Sequence, residues 1–68
     1  MAHTYSVRTF QTTGPVELGG VAAAYEAAAA DLAGVVPPDH RLIQLTEIDR
    51  SFGQDAVTVS FAALIEST

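Results

Sequence analysis

Residues 41–66, RLIQLTEIDRSFGQDAVTVSFAALIE, decide the fold of this chain. Two segments in this stretch, Arg41 to Asp49 and Ala56 to Glu66, have the length and the β-branched, apolar composition of β-strands. The segment Arg50-Ser51-Phe52-Gly53-Gln54 joins them, and Gly53 supplies a conformationally permissive turn position. We therefore predict a β-hairpin.

A register in which Asp49 faces Asp55 gives this hairpin two different faces. One face is apolar, with the pairs Ile43–Phe61 and Leu45–Val59 beside Val57, Ala63 and Ile65. The other face carries Leu42, Gln44, Thr46, Ile48, Ala56, Thr58, Ser60, Ala62 and Leu64. This second face is too apolar for free water and too polar for a dry core. We expect a partner sheet or a flat ligand to cover it.

The segment before the hairpin predicts one strand and one helix. Thr4 to Thr9 alternates as a half-buried strand does. A helix is expected to begin near Val16, with Thr13 as its N-cap and Pro15 in its first turn. Its sheet-facing stripe is predicted to contain Leu18, Val21, Ala22, Tyr25, Ala29 and Leu32.

The other faces of this helix are small and apolar, because they carry Ala23, Ala24, Ala27 and Ala30. This composition is typical either of a contact with a second subunit or of a surface built from the best helix former. Gly34 is predicted to cap the helix, and Pro37-Pro38 prevents its continuation. The expected fold class is α+β, with the order β-α-β-β and a three-stranded antiparallel sheet wrapped on one helix.

The length of the chain predicts a single domain, residues 1–68, that is marginal on its own. Domains of this size usually need disulfides, a metal or partner subunits, and the sequence contains no cysteine. Two histidines, His3 and His40, are too few for a histidine-rich metal site. We therefore expect a homo-oligomer.

The charge of the chain excludes nucleic acid as a partner. The formal net charge is −5, and the only basic residues are Arg8, Arg41 and Arg50, so a basic footprint for phosphates is lacking. We find neither a signal-peptide pattern nor an apolar run long enough to cross a membrane. These features predict a cytoplasmic protein that does not act at a membrane.

Few residues are candidates for catalysis or metal binding. His40 is a candidate general base by residue type, but no nucleophile or orienting carboxylate is evident beside it, and a surface histidine in a loop is the better explanation. Asp49 and Asp55 flank the hairpin tip but lack the acidic spacing of a calcium loop. No phosphate loop or nucleophile elbow is present. We expect no catalytic residue, no metal ligand and no enzymatic activity.

Several segments together resemble the dodecin family. They are the opening His3-Thr4-Tyr5-Ser6-Val7, the β-α-β-β order, and the last strand, Ala56-Val57-Thr58-Val59-Ser60-Phe61, closing at Glu66. The resemblance implies a hollow homo-dodecamer that binds flavins, or in some members coenzyme A. The chain has His40, Arg41 or Leu42 where the family places a flavin-stacking tryptophan, and Ala56 where it places a flavin-facing glutamine.

The resemblance leads us to expect a non-catalytic binding and storage protein for a flavin (FMN, FAD or riboflavin) or a similar flat cofactor. The residues expected to line its site are His40, Leu42, Gln44, Thr58 and Ser60. Two alternatives remain open at this point. One is a structural or interaction shell without a small ligand, and the other is a small enzyme subunit that uses His40 with an acidic residue.

Overall fold

The computed structural model describes residues 4–67 and has the order β-α-β-β. Its elements are β1 (Tyr5–Pro15), a short 3₁₀ turn (Val16–Leu18), α1 (Val21–Val35), β2 (His40–Phe52) and β3 (Ala56–Ser67). The strands form one antiparallel sheet in the order β1-β3-β2. The predicted α+β class, with three antiparallel strands and one helix, is confirmed.

Strand β1 extends six residues past the predicted end at Thr9, to Pro15. Thr13 pairs with Thr58 inside this strand, so the prediction that Thr13 caps the helix is wrong. Gly14 explains why the strand can continue under the helix. A Cβ atom at Gly14 would lie 2.0 Å from the carbonyl oxygen of Gly20, so only glycine permits this close approach of two backbones.

The helix begins at Val21 rather than near Val16. A 3₁₀ turn precedes it, and Gly19 and Gly20 follow that turn with φ angles of +111° and +59°. These left-handed conformations favour glycine and reorient the chain before the helix starts. The Val16 N–H donates to the Asp55 carbonyl at 2.9 Å, which ties the 3₁₀ turn to the tip of the hairpin.

Alanines, and not the larger residues of the predicted stripe, form the buried face of α1. Ala24 and Ala28 are buried, whereas Leu18 is 72% exposed, and Ala22 and Ala29 are exposed too. The placement of Ala24 on an exposed face was therefore wrong. The Thr12 hydroxyl donates to the Ala24 carbonyl at 2.7 Å. Small side chains let the helix backbone come close to its own strand, so close packing within the chain explains these alanines.

The helix ends at Val35, and Pro37-Pro38 follows it as predicted. Gly34 lies within the last turn, and Val36, with a φ of −95°, is the C-cap, so the prediction that Gly34 is the cap is wrong. Asp39 has a φ of +66°, and the His40 N–H donates to the Pro37 carbonyl at 3.2 Å. This tight turn leads directly into β2.

The hairpin is confirmed, but its register differs from the predicted one. Phe52 pairs with Val57, which leaves a loop of only Gly53-Gln54-Asp55, and Asp49 faces Ser60 instead of Asp55. Register shifts between Leu42 and Gln44 and between Glu47 and Asp49 mark two β-bulges. The turn, which pairs Phe52 with Val57, displaces the partner of Asp49 by five residues, from Asp55 to Ser60, so the pairs Ile43–Phe61 and Leu45–Val59 do not form. Glu47 faces Phe61, and Leu45 faces Ala63.

The core is small and lies between α1 and the central strand β3. It contains Ala24, Ala28, Val57, Val59, Phe61, Ala63 and Ile65, with Phe10, Val21 and Leu45 packed against it. The ring of Phe61 stacks on Phe10 with centroids 5.3 Å apart and meets the edge of Tyr25 at 5.1 Å. Helix α1 therefore lies mainly over β1 and β3 and leaves much of β2 uncovered.

The protomer is elongated, because its sheet is much longer than its helix. Helix α1 has 15 residues and β2 has 13. At standard rises these are about 22 Å and about 43 Å long. The radius of gyration is 13.4 Å, whereas a compact domain of this length has about 11 Å. In the described range, no helix has the length and hydrophobicity needed to cross a membrane.

Candidate functional site

The outer face of the sheet, opposite α1, has no covering element among residues 4–67. Side chains on directly paired residues of antiparallel strands share a face, so the register assigns this face row by row. Its central rows are Thr13–Thr58–Ser51, Gln11–Ser60–Asp49 and Thr9–Ala62–Thr46. We call the six hydroxyl residues in these rows the hydroxyl patch: Thr9, Thr13, Thr46, Ser51, Thr58 and Ser60.

An open depression of about 410 Å³ lies in the middle of this outer face. Thr9, Phe10, Gln11, Ile48 and Ser60 line it, so all three strands contribute. Ligand sites generally combine apolar walls with a few polar groups, and volumes of about 300–1,000 Å³ are typical. The depression has this composition, since Ile48 supplies an apolar wall while Gln11, Thr9 and Ser60 supply an amide and two hydroxyls.

The second β-bulge brings Ile48 to this site. Ile48 lies at the register shift between Glu47 and Asp49, and it is 54% exposed. A bulge adds one residue to a strand and redirects its side chain. Consequently Ile48 and Asp49 lie together beside Ser60 on the outer face, where a regular strand would place only one of them.

The structure separates the five residues predicted to line a flavin site. Thr58 and Ser60 lie on the outer face near the depression, and Gln44, opposite Leu64, lies on the same face. From Leu64 to Ser60 is a distance of about 13 Å along β3. Leu42 faces Ile65 on the helix side, so its predicted position on the outer face is wrong, and the first bulge is the reason.

His40 lies at the far end of β2, where it pairs with Ser67. Its Nδ1 atom is 2.9 Å from the Pro38 carbonyl oxygen, so the turn that opens β2 fixes the imidazole. From Ser67 to Ser60 is a distance of about 23 Å along β3. Within one protomer, His40 therefore does not reach the depression. His3, which the family resemblance also uses, lies outside the described residues.

An ion pair between Arg41 and Glu66 lies on the outer face near the C-terminal end of β3. The Glu66 side chain is 5% exposed and accepts from Arg41 Nε at 2.5 Å. A hydrogen bond to Glu66 raises the pKa of Tyr5 above its ordinary value. Arg41 and Glu66 thus neutralise each other, and Tyr5 extends the same cluster across the sheet.

A second ion pair lies on the helix side of β2. Arg50 donates two hydrogen bonds to the Glu47 carboxylate, both at 2.7 Å, and the Tyr25 hydroxyl donates to the same carboxylate. The bonds from Arg50 and from Tyr25 lower the pKa of Glu47 to about 2. The hydrogen bond to Glu47 raises the pKa of Tyr25. This cluster connects α1 to β2, the strand that α1 covers least.

The aspartates considered as metal ligands lie apart. Asp49 belongs to the outer face opposite Ser60, whereas Asp55 lies in the hairpin loop, where its carbonyl accepts from Val16. Within residues 4–67, no group of three or more histidine, aspartate or glutamate side chains is placed to hold a metal ion.

The sequence analysis missed the β1 contribution to the site, Thr9 and Gln11. A usable signal was present, because the alternation of Tyr5, Val7 and Thr9 continues through Gln11 and Thr13 on the same face. The signal was missed because the predicted strand ended at Thr9 and so left out Gln11 and Thr13. The chain matches no protein-family model, no curated protein and no solved structure.

Proposed function

We propose that this chain is a non-catalytic, homo-oligomeric binding and storage protein for a flavin or a similar flat cofactor. The observation that carries the proposal is the open outer face of the sheet, with its depression among Gln11, Ile48 and Ser60. The resemblance to dodecins supplies the flavin and the expected dodecamer. The open depression on the outer face supports a site for a flat ligand.

The surface of the protomer supports self-assembly. Large apolar side chains that are at least two-fifths exposed occur in every element except β3: Tyr5, Val7, Val16, Leu18, Tyr25, Ile43, Ile48 and Phe52. Exposed apolar surface on this scale, beside so small a core, is typical of a subunit rather than an isolated monomer. Neighbouring copies would cover the parts of the sheet that α1 is too short to reach.

The composition of the outer face supports a flat ligand. Ala62 and the hydroxyl patch carry short side chains, so the centre of the sheet has no bulky group to obstruct a planar ring. Ile48 provides apolar contact, and the Gln11 amide can both donate to and accept from the polar edge of a heteroaromatic ring. A ligand in this position is held between two copies when a second sheet closes over it.

Size-exclusion chromatography with light scattering, recorded together with visible absorbance, tests this proposal. The expected result is a dodecamer-sized peak and quenching of riboflavin fluorescence when the protein is added. Ser60→Leu should weaken the quenching, because the larger side chain fills the depression. Thr4→Leu, in the exposed segment before β1, is the control and should leave quenching unchanged. A stable monomer, or flavin emission unchanged at high protein concentration, would contradict the proposal.

One observation favours a second candidate, a shell without a small ligand. In the three central rows of the outer face, no residue is aromatic, so no side chain there can stack on a flavin ring. Neighbouring sheets would then cover the hydroxyl patch directly. A large oligomer that remains colourless and does not quench added flavin would establish this candidate over the first.

A further inference from the structure

We infer that Asp49 makes the outer-face depression selective for an uncharged flat ligand over its phosphorylated form. This inference rests on the proposed function, because it concerns the same site. Asp49 pairs with Ser60, which lines the depression, and it follows Ile48, which forms the apolar wall. Side chains on directly opposed residues have Cβ atoms about 4.5–5.5 Å apart, so the Asp49 side chain lies next to Ser60 at the border of the depression.

Among residues 4–67, no cationic side chain pairs with Asp49. Asp49 itself is exposed. Arg41 shares the outer face but binds Glu66, and Glu66 lies about 20 Å from Ser60 along β3. Arg50 faces Val59 on the helix side, where Glu47 holds it, and Arg8 faces Ala63 on that same side.

The lining offers hydroxyls and an amide but no positive charge for a phosphate. Thr9, Phe10, Gln11, Ile48 and Ser60 are all neutral. A phosphate group carries about −1.5 to −2 charges at neutral pH, so a phosphorylated ligand meets an unbalanced carboxylate in a chain that is already anionic. For a phosphate bound roughly 8 Å from the carboxylate, with an effective dielectric constant between those of protein and water, this repulsion weakens binding by about tenfold.

Fluorescence titrations with riboflavin and with FMN test the inference, because the two probes share one ring system and differ by the phosphate. Wild-type protein should bind riboflavin about tenfold more tightly than FMN at low salt. Asp49→Asn should reduce this ratio to about threefold or less, mainly by improving the affinity for FMN. Raising the salt concentration should reduce the wild-type ratio as well.

Asp55→Asn is the matched control, since it removes the same charge from the hairpin loop, away from the outer face. It should leave the ratio within about twofold of wild type, because Asp55 lies about 17 Å from Ser60 along the chain, where repulsion through water is weak. Equal or tighter binding of FMN by the wild-type protein, or an unchanged ratio in Asp49→Asn, would overturn the inference while the proposed function stands. Binding of neither flavin would overturn both.

Discussion

The two faces of the sheet are built from the same three strands but obey different requirements. On the helix side, Val59, Phe61 and Ala63 are almost fully buried, and α1 approaches closely enough to exclude any side chain at position 14. On the outer side, the neighbouring residues Thr58, Ser60 and Ala62 are only partly buried. The helix side therefore determines whether the chain folds, whereas the outer side is not constrained by the packing of α1.

This difference predicts that one residue step along a strand changes the consequence of a substitution. Alternate residues of a strand point to opposite faces, so a helix-side change should alter the free energy of unfolding. An outer-side change should alter binding or assembly instead. All stability comparisons below require a fixed protein concentration, because self-association adds to apparent stability.

The largest effect is expected at Gly14, where the backbone of β1 lies against the backbone at the start of α1. Gly14→Ala should lower the free energy of unfolding by about 3 kcal/mol or more. The added Cβ would lie 2.0 Å from the Gly20 oxygen and 2.4 Å from the Ala24 nitrogen, and these backbone atoms belong to the segment that opens the helix. Urea denaturation followed by circular dichroism measures the change.

The control for this change is Gly34→Ala, in the last turn of α1. A Cβ there meets no atom within 4 Å. Because alanine is the better helix former, this variant should gain about 0.5–1 kcal/mol. Equal stability of the two variants would show that the close approach at Gly14 does not exist.

Two adjacent threonines provide a more direct comparison of the faces. Thr12 is buried on the helix side, and its hydroxyl donates to the Ala24 carbonyl at 2.7 Å. Thr12→Val keeps the shape but removes this bond, so it should cost about 1 kcal/mol. Thr13→Val, on the exposed outer side, should change stability by less than about 0.5 kcal/mol. Equal losses from both substitutions, measured by urea denaturation, would remove the distinction between the faces.

The smallest effect concerns the solvent-exposed link between α1 and β2. The pKa of Glu47 is lowered from 4.5 to about 2 in the folded protein. A lowered carboxyl pKa stabilises the fold above pH 4.5, and this contribution is lost as the pH falls from 4.5 to about 2. Glu47→Gln should therefore lose less thermal stability than wild type across that acidic range. Solvent screening keeps the difference small.

Melting temperatures measured through this pH range test the role of Glu47. Glu26→Gln is the comparison, because Glu26 is exposed on the helix and makes no hydrogen bond or ion pair among the described residues. It should follow the wild-type pH dependence. If Glu47→Gln follows the wild type equally closely, the contacts from Tyr25 and Arg50 do not stabilise the fold.

The sequence was sufficient to predict the elements and their order, because local signals encode them. Pro37-Pro38 ended the helix, and Gly53 marked the hairpin. The helix start was misplaced because Gly19 and Gly20 adopt positive φ angles, which interrupt the chain before α1 begins at Val21. The buried helix face was misjudged for a tertiary reason. Burial at Ala24 follows from the close approach at Gly14, and hydrophobicity along the helix does not reveal that approach.

The candidate site was only partly predictable. Alternation along β3 correctly placed Thr58 and Ser60 on the outer face. Register could not be obtained in the same way, because two bulges shift β2 against β3 and the sequence carries no sign of them. The first bulge explains why Leu42 was assigned to the wrong face, and the turn that pairs Phe52 with Val57 explains why the position of Asp49 beside Ser60 was missed.

The two bulges also distinguish the free edges of the sheet. Strand β1 keeps an unbroken register with β3 from Tyr5 to Pro15, whereas the register of β2 shifts near Ile43 and near Ile48. Fibre growth by edge-to-edge addition needs an in-phase row of N–H and C=O groups on both sides of every copy. Each protomer offers only one such row, so this route to aggregation is interrupted at β2. The sheet of this thin, elongated chain is therefore protected at β2 against edge-to-edge stacking.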